Sequence, residues 1–335
     1  EGPKFYKRDG WYWILCPAGG VAGGWQLAMR SKSPYGPYEW KRVLERGKTT
    51  MNGPHQGGWI HTKYGEDWFI HFQDKGPYGR VCHLQPVDWS SGWPVMGNAG
   101  EPYWKFRKPK SDSKTIVNPV ETDEFDSSKL GMQWQWQNDY KESYGQATSM
   151  GFFRLFTYAL PELGDVSNLW YVPNMLLQKT PADEFTATTK LSFCSRNSDQ
   201  YVGLVCMSAE YSSVGLQRTE DGYELQIRHN PNAMRTHLTD EVLTVDTLKP
   251  TQKGTPRKGR PAEMHIKDVY LRMSIKDSKV NYAYSIDGKK WKKAGGEYAM
   301  GKGRWIGSKI GFFAVDPNKT GRKGFIDIDW FRISR

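Results

Sequence analysis

The 335-residue sequence contains no long apolar run and no long alanine- and leucine-rich periodic stretch. A helix needs roughly 18 apolar residues to cross a bilayer, so no membrane association is expected. The sequence begins with Glu rather than Met, and no signal peptide is visible at its start. Aromatic residues are plentiful instead, with 15 Trp and 18 Tyr, which favours strands over helices.

Cysteine is scarce, and the C-x-x-C spacing of redox and metal sites is missing. The four cysteines are Cys16, Cys82, Cys194 and Cys206. Each stands in an apolar, strand-like run, which predicts four buried thiols. Cys194 and Cys206 also flank a predicted hairpin, so a disulfide between them is the alternative.

The net charge of +11 raises the question of nucleic-acid binding. Zinc-finger spacing, an arginine-rich helix and an RRM-type aromatic signature are all absent, and the basic residues are scattered. We therefore predict a solvated basic surface and no nucleic-acid partner. An acidic polysaccharide would also be attracted to such a surface.

Two similar segments occur in the first hundred residues, "KFYKRDGWYWILCPAGG" and "WIHTKYGEDWFIHFQDKG". Each contains a short strand, a tight turn with glycine and an aromatic strand, and each is followed by another strand and a Gly/Pro-rich turn. The period, on the order of 55 residues, is somewhat above that of the known propeller repeats, but four short strands per repeat with aromatic punctuation are typical of a β-propeller blade. Because propellers need about four to eight blades, we expect further blades upstream of residue 1.

The composition changes after the Lys-, Ser- and Pro-rich stretch "KFRKPKSDSKTIVNPVETD". Many strand patterns follow, among them "EFTATTKLSF", "QYVGLVCMSA", "VYLRMSIKD", "KVNYAYSID" and "GFIDIDWFRIS". Several alternate apolar and polar residues, as a strand with one buried face does. "SIDGKKW" carries an Asp-Gly hairpin signal. This part of the chain is predicted to be a two-sheet sandwich.

The segments "EGPKFYKRDGWYWIL", "GPHQGGWIHTKYGEDWFIHFQD" and "YGRVCHLQPVDWSSGWPV" resemble the second half of a glycoside hydrolase family 43 catalytic domain. "FDSSKLGMQWQWQ" and "NMLLQKTP" resemble the domain appended to its β-xylosidases and α-L-arabinofuranosidases. The resemblance implies an all-β chain. It would comprise part of a five-bladed β-propeller (1–105), a linker (106–122) and a concanavalin A-like jelly-roll β-sandwich (123–335).

The same resemblance implies inverting hydrolysis of arabinofuranosyl or xylosyl linkages in plant cell-wall polysaccharides or their oligosaccharides. "EGPKFY" matches the motif that the family's general acid opens, so Glu1 is implied as that acid. The Asp base and the Asp that tunes the acid would lie upstream, in blades of the same or another chain. An inverting acid must hold its proton while a base ~6.5–9.5 Å away activates water. The isolated 335-residue chain is therefore expected to be inactive.

Three further residues match family positions. His55 in "GPHQGG" is implied to help hold a structural calcium ion through water, since calcium prefers oxygen ligands; its alternative is a turn cap. Arg80 in "YGR" is implied to contact sugar hydroxyls or a catalytic carboxylate, and its alternative is a surface arginine. Trp25 in "GGVAGGWQ" is either a sugar platform or buried between blades. The other blade histidines are predicted to be packing residues: His61, His71 and His83.

The loop "CPAGGVAGGW" departs from the xylosidase pattern, which has a Glu before the paired glycines and Tyr-Glu-His after them. Arabinofuranosidase activity is therefore placed slightly ahead of xylosidase activity. The alternative function is a non-catalytic, lectin-like carbohydrate-binding fragment. No organic cofactor is expected, and the resemblance implies a periplasmic or secreted protein.

Overall fold

A computed structural model describes residues 2–160, 168–235, 238–257, 259–303, 305–318 and 321–335. The chain divides into two compact units, Glu1–Val117 and Asn118–Arg335. The division falls inside the stretch that the sequence suggests is a linker. Within the described residues no helix is long and apolar enough to cross a membrane.

The first unit contains two four-stranded antiparallel sheets with strands in chain order. The first sheet is formed by β1 (Lys4–Arg8), β2 (Trp11–Ala18), β3 (Trp25–Ser31) and β4 (Glu39–Leu44). The second is formed by β5 (His55–His61), β6 (Asp67–Asp74), β7 (Arg80–Asp88) and β8 (Val95–Met96). One α-helical turn, α1 (Gly20–Gly23), precedes β3, and a 3-10 turn (Gly76–Tyr78) precedes β7. This is the blade arrangement that the repeat predicts.

Tight glycine turns connect the first strands of these sheets. Asp9 and Gly10 separate β1 from β2 and both have positive φ, at 51° and 72°. Two central residues with positive φ define the turn type that matches the twist of a two-residue hairpin, and Asp-Gly is a preferred pair there.

An aromatic core joins the two sheets of the first unit. Trp13 is 3% exposed, and its ring lies 5.0 Å from Trp89 and 5.6 Å from Trp93, both nearly perpendicular to it. Leu15 of the first sheet and Phe69 of the second belong to the same buried cluster. One face of each sheet is thereby removed from water, which is the main source of stability for such packing.

An arginine–aspartate pair at the C-terminal end of β1 also links the two sheets. Arg8 Nη1 donates to both carboxylate oxygens of Asp67, at 3.0 and 3.1 Å, and the guanidinium lies 4.4 Å from the Trp89 ring centre. Trp59 Nε1 donates to the same carboxylate at 2.8 Å. Because the Asp67 side chain is only 10% exposed, these three hydrogen bonds offset the cost of burying its charge.

The second unit is a sandwich of two eight-stranded sheets. One sheet has the order β10-β11-β24-β14-β20-β21-β22, with β19 beside β20. Its strands are β10 (Gly145–Ala147), β11 (Phe153–Phe156), β14 (Phe185–Ser195), β19 (Gln252–Lys253), β20 (Met264–Lys276), β21 (Lys279–Ser285), β22 (Lys292–Ala299) and β24 (Phe325–Ser334).

The other sheet has the order β18-β17-β16-β15-β23-β13-β9, with β12 parallel to β23. Its strands are β9 (Gln135–Trp136), β12 (Tyr158–Ala159), β13 (Leu176–Lys179), β15 (Tyr201–Met207), β16 (Tyr211–Arg218), β17 (Tyr223–Asn230), β18 (Glu241–Leu248) and β23 (Lys309–Asp316). A 3-10 turn (Leu169–Tyr171) precedes β13.

The burial of these strands explains their sequence patterns. β14 and β20 alternate buried and half-buried residues because one face of their sheet packs on the core. β15 is buried along its whole length and reads as an uninterrupted apolar run. The segment containing Leu169, Val172 and Met175 packs with Tyr201 and Phe313 in one buried cluster, which accounts for that second buried face.

The structure confirms the all-β fold and the sandwich, including the hairpin between β21 and β22 at the Asp-Gly signal, where Gly288 has a φ of +70°. It also adds strands that the sequence patterns did not reveal, notably β16, β18 and β22. β18 and β22 are mostly exposed edge strands, so they lack the alternation that marks a buried face.

The predicted linker is partly bound to the first unit. Arg107 pairs with Glu66, and the backbone N–H of Lys110 donates to Glu66 Oε2 at 2.8 Å. Glu66 is 9% exposed, so this segment covers one end of the second sheet. The Lys- and Pro-rich composition did not indicate such contacts.

The expected burial of the cysteines is only partly met. All four are free thiols, so the alternative Cys194–Cys206 disulfide is not formed. Cys194 and Cys206 are buried, Cys16 is half-buried and Cys82 is exposed. Cys82 lies in β7 on the face of the second sheet turned away from the Trp13 core, where Leu84 is also 37% exposed.

Candidate active site

The second sheet of the first unit places His55 in a buried position. It is the first residue of β5, it is 3% exposed, and it lies directly opposite Phe72 of β6. The two ring centres are 5.6 Å apart at an interplanar angle of 62°. The pairing register shifts between His55 and Gly58, which marks a β-bulge. Bulges of this kind often re-aim a side chain beside a functional site.

The glycine-rich loop before β3 lies directly on the His55 ring. A Cβ atom at Gly24 would stand 2.4 Å from His55 Cδ2 and 2.2 Å from the carbonyl oxygen of Gly20. A Cβ atom at Gly53 would stand 2.0 Å from the carbonyl oxygen of Val21, and Gly53 has a φ of +51°. Both glycines are therefore required by close backbone approach, and the loop before β3 packs on the imidazole.

Arg80 reaches the same aromatic ring as His55. It is the first residue of β7, its side chain is exposed, and its guanidinium lies 4.7 Å from the Phe72 ring centre. The preceding Gly79 has a φ of +81° and closes the 3-10 turn with a backbone bond to Gly76 O. The structure thus brings His55 and Arg80 together around Phe72, with one side chain buried and the other open to solvent.

Trp25 directly follows Gly24 in the chain, and its ring contacts other residues. It is half-buried at the start of β3, and the Arg42 guanidinium lies 4.2 Å from its ring centre. A Cβ atom at Gly19 would stand 2.4 Å from Trp25 Cζ3, so the ring also packs against the loop backbone. Among the described residues, no ring or cation contact joins Trp25 to His55 or Arg80.

The implied general acid, Glu1, lies outside the described residues. The next residue, Gly2, lies against Gln56, since a Cβ atom there would be 3.3 Å from Gln56 Nε2. Gln56 has a φ of +57°, which is unusual for a residue with a side chain, and its backbone N–H donates to Gln26 Oε1 at 3.1 Å. Gln56 therefore lies between Gly2, at the start of the described chain, and its sequence neighbour His55. Its backbone is strained and is held by a hydrogen bond.

The remaining blade histidines have different environments. His71 is 3% exposed and stacks on His83 with ring centres 5.5 Å apart. Burial lowers the pKa of His71 to about 4, and burial together with the charge of Lys75 lowers the pKa of His83. Both are packing residues, as the sequence suggests. His61 is not: it is exposed, and its Nδ1 lies 2.8 Å from Asp67 Oδ1.

Several residues around His55 were not singled out from the sequence. Phe72 joins His55 and Arg80, while Asn52 has a buried Oδ1 atom with no hydrogen-bond partner among the described residues. The concentration of glycine before β3 and around His55 was the available signal, because glycine marks places where backbones approach closely.

Comparisons with known protein families identify the family to which the chain belongs. The sequence model described as "Beta xylosidase C-terminal Concanavalin A-like domain" matches residues 122–334, more than half of the chain. The model described as "Glycosyl hydrolases family 43" matches residues 1–94. The chain belongs to glycoside hydrolase family 43. The two matches lie in the two units that the structure separates.

Similar proteins carry the names of a β-xylosidase and an α-L-arabinofuranosidase. A putative β-xylosidase from Xylanibacter ruminicola is 34% identical over 318 residues, covering 93% of this chain and 54% of that protein. The non-reducing end α-L-arabinofuranosidase BoGH43B from Bacteroides ovatus is 25% identical over 304 residues, covering 85% of this chain and 52% of that protein. The chain thus spans about half the length of these curated relatives.

A solved family 43 structure has the same fold over nearly the whole chain. The crystal structure of the GH43 protein BlXynB from Bacillus licheniformis superimposes with a TM-score of 0.81 at 25% identity. The match covers 99% of this chain and 64% of the other.

Replacing Gly24 with alanine is expected to destabilise the first unit by ~1–3 kcal/mol, because the added methyl group would collide with the His55 ring and the Gly20 carbonyl. Gly23→Ala is the matched control, since a Cβ atom there meets nothing within 4 Å and Gly23 has an ordinary φ. The control should shift the free energy of unfolding by less than about 1 kcal/mol. Urea unfolding of both variants tests this, and equal effects would contradict the packing described.

Acidification is expected to destabilise the first unit through His71. The unfolded histidine binds a proton below about pH 6.5, whereas the folded one does so only below about pH 4. Stability is therefore lost as the pH falls between these values, by about 2 kcal/mol near pH 5. His71→Gln should remove this part of the pH dependence in urea unfolding at about pH 7.5 and about pH 5. His61→Gln, at an exposed histidine, should leave it unchanged.

Proposed function

We propose that this chain forms part of a glycoside hydrolase that cleaves arabinofuranosyl or xylosyl linkages in plant cell-wall polysaccharides or their oligosaccharides. The observation that carries the proposal is the grouping of His55 and Arg80 around Phe72 within the unit that matches family 43. The names of the relatives, a putative β-xylosidase and an α-L-arabinofuranosidase, support the substrate class.

In the proposed reaction Glu1 donates a proton to the leaving oxygen while an aspartate base from outside residues 1–335 activates water on the opposite face of the sugar. A second aspartate would raise the pKa of the acid by its like charge. Arg80 would bind sugar hydroxyls through its planar guanidinium, which is open to solvent. Trp25 would offer a sugar the ring face that is turned away from Arg42.

We also propose that calcium binds beside His55. The buried Asn52 Oδ1 atom lacks a hydrogen-bond partner among the described residues and lies three positions before His55 in the chain. An amide oxygen is the kind of ligand that calcium prefers, and an imidazole beside it can hold a coordinated water molecule. When bound, the ion would supply positive charge near the sugar site, and Asn52 and His55 would hold its water shell in place.

Both outer faces of the first unit are suited to contact with further blades. Phe5 and Trp40, on the face of the first sheet turned away from the Trp13 core, are 56% and 67% exposed. Ile70 and Leu84, on the corresponding face of the second sheet, are 41% and 37% exposed. Apolar residues on both outer faces support the proposal that the catalytic domain is completed by blades outside residues 1–335.

Hydrolysis is tested with a longer protein that joins this chain to the proposed additional blades. It should release arabinose or xylose from aryl glycosides, with inversion at the anomeric carbon observed by NMR. Glu1→Gln should lower kcat by about 10²–10⁴-fold on substrates with sugar leaving groups, and much less on dinitrophenyl glycosides, whose leaving group needs no proton.

Glu184→Gln is the control, because Glu184 is exposed and pairs only with Lys276 among the described contacts; it should leave kcat unchanged. The chain of residues 1–335 alone should show no hydrolysis. Sugar binding without hydrolysis by the longer protein would instead favour the lectin-like alternative. An equal loss on both kinds of leaving group would contradict the role of Glu1.

Calcium is expected to raise the thermal unfolding midpoint of the protein relative to the same protein in chelator. At about 100 times the dissociation constant the stabilisation is about 2.7 kcal/mol. Asn52→Ala should remove most of this shift, whereas Asn98→Ala, at an exposed asparagine of the same unit, should retain it. A calcium effect unchanged by Asn52→Ala would place the ion elsewhere.

A further inference from the structure

Three side chains with metal-binding atoms meet on the sandwich, far along the chain from the candidate active site. Cys194, near the end of β14, lies directly opposite His265 of β20. Glu263 precedes His265 by two residues, so its side chain is on the same side of the backbone. One ligand atom from each of the three residues lies within 4.8 Å of the other two.

The distances place these atoms around one point. Cys194 Sγ is 3.5 Å from His265 Nε2, and the same Nε2 is 2.9 Å from Glu263 Oε1. The other carboxylate oxygen, Oε2, accepts a bond from Arg196 Nε at 2.8 Å. Oε1 is therefore directed toward the histidine and the thiol, while Oε2 is held in place by the arginine.

This arrangement does not suit a nucleophilic thiol. In a thiol–imidazole–carboxylate relay, one ring nitrogen takes the thiol proton and the other ring nitrogen bonds the carboxylate. Here one nitrogen of His265 faces both partners. Burial, together with the charge of Glu263, also raises the pKa of Cys194 to about 12, so the free site holds a thiol rather than a reactive thiolate.

We propose that Cys194, Glu263 and His265 form a binding site for a divalent zinc-type cation. Cysteine sulfur, histidine nitrogen and a carboxylate oxygen are the ligand types that zinc takes in proteins. Tetrahedral zinc, with a Zn–S distance of about 2.3 Å and a Zn–N distance of about 2.0 Å, separates sulfur and nitrogen by about 3.5 Å. Nitrogen and oxygen ligands would stand about 3.3 Å apart, which is close to the 2.9 Å between His265 Nε2 and Glu263 Oε1.

The surroundings of the three ligands provide an outer-shell partner for the carboxylate and a side that is open to solvent. Arg196 orients the carboxylate as outer-shell partners of metal ligands commonly do. Cys194 is buried, whereas His265 and Glu263 are half-buried and border solvent. A pocket of about 190 Å³ lies against Cys194 and His265 and is also lined by Phe152 and Phe325. Water from this pocket would complete the coordination.

The bound ion would fasten β14 to β20 where their pairing is irregular. The register between these strands shifts between Leu191 and Phe193, and Asp268 on β20 has a φ of +56°. A metal bridge between Cys194 and His265 lies just beyond this irregularity. We therefore expect zinc to stabilise the sandwich rather than to take part in hydrolysis.

Cobalt(II) is used as the probe, because it binds in place of zinc and its absorption spectrum shows which types of ligand surround it. The purified protein, held in excess calcium to fill oxygen-only sites, should bind one cobalt ion. A thiolate-to-cobalt charge-transfer band should appear, with visible bands of the intensity typical of tetrahedral cobalt, and zinc should abolish both. Below the thiol pKa the affinity should rise about tenfold per pH unit, since binding releases the Cys194 proton.

Cys194→Ser should abolish the charge-transfer band, and His265→Gln or Glu263→Gln should weaken cobalt binding at least tenfold. Cys82→Ser is the matched control, because it removes the exposed thiol and should leave the spectrum unchanged. Circular dichroism verifies that each variant is folded. Folded wild-type protein without a thiolate band would overturn the proposal, as would a band lost in Cys82→Ser but kept in Cys194→Ser. Because no sugar is involved, the result is independent of the proposed hydrolysis.

Discussion

The backbone of the loop before β3 lies directly on the imidazole of His55, and the rest of the candidate active site follows from this contact. It is possible only because Gly24 has no side chain, and it is reinforced where Gly53 approaches the carbonyl of Val21. The loop packs against the His55 imidazole, and the Phe72 ring centre lies 5.6 Å from that of His55. The Arg80 guanidinium lies 4.7 Å from the centre of the same Phe72 ring, so one aromatic side chain contacts both residues.

The Trp13-centred core is what brings the two blades into this relation. It buries one face of each sheet and leaves the other faces, with Phe5 and Ile70, partly exposed. A sheet with two apolar faces is typical of a structure in which each layer has a neighbour on both sides. In the sandwich, the second apolar face is covered within the chain itself, because the cluster around Tyr201 and Phe313 packs on the second face of β15.

Cross-strand pairing creates both of the sites described. His55 and Phe72 are opposite residues of β5 and β6, and Cys194 and His265 are opposite residues of β14 and β20. Each pair lies near a register irregularity, where the strand twist changes and side chains are re-aimed. The two sites differ in chemistry: the first combines a buried imidazole with an aromatic ring, the second a thiol, an imidazole and a carboxylate.

The sequence by itself determined the all-β class, the two repeats, the sandwich and the family, because these depend on period-two patterns, turn residues and motif order. It also pointed to His55 and Arg80, through motif positions. Only the tertiary structure showed that Phe72 joins them, that the edge strands β18 and β22 complete the sheets, and that Cys82 is exposed. The local sequence pattern indicates which face of a strand is buried. It does not record which distant strand is its neighbour, and Cys194 and His265, which are 71 residues apart, meet only through that pairing.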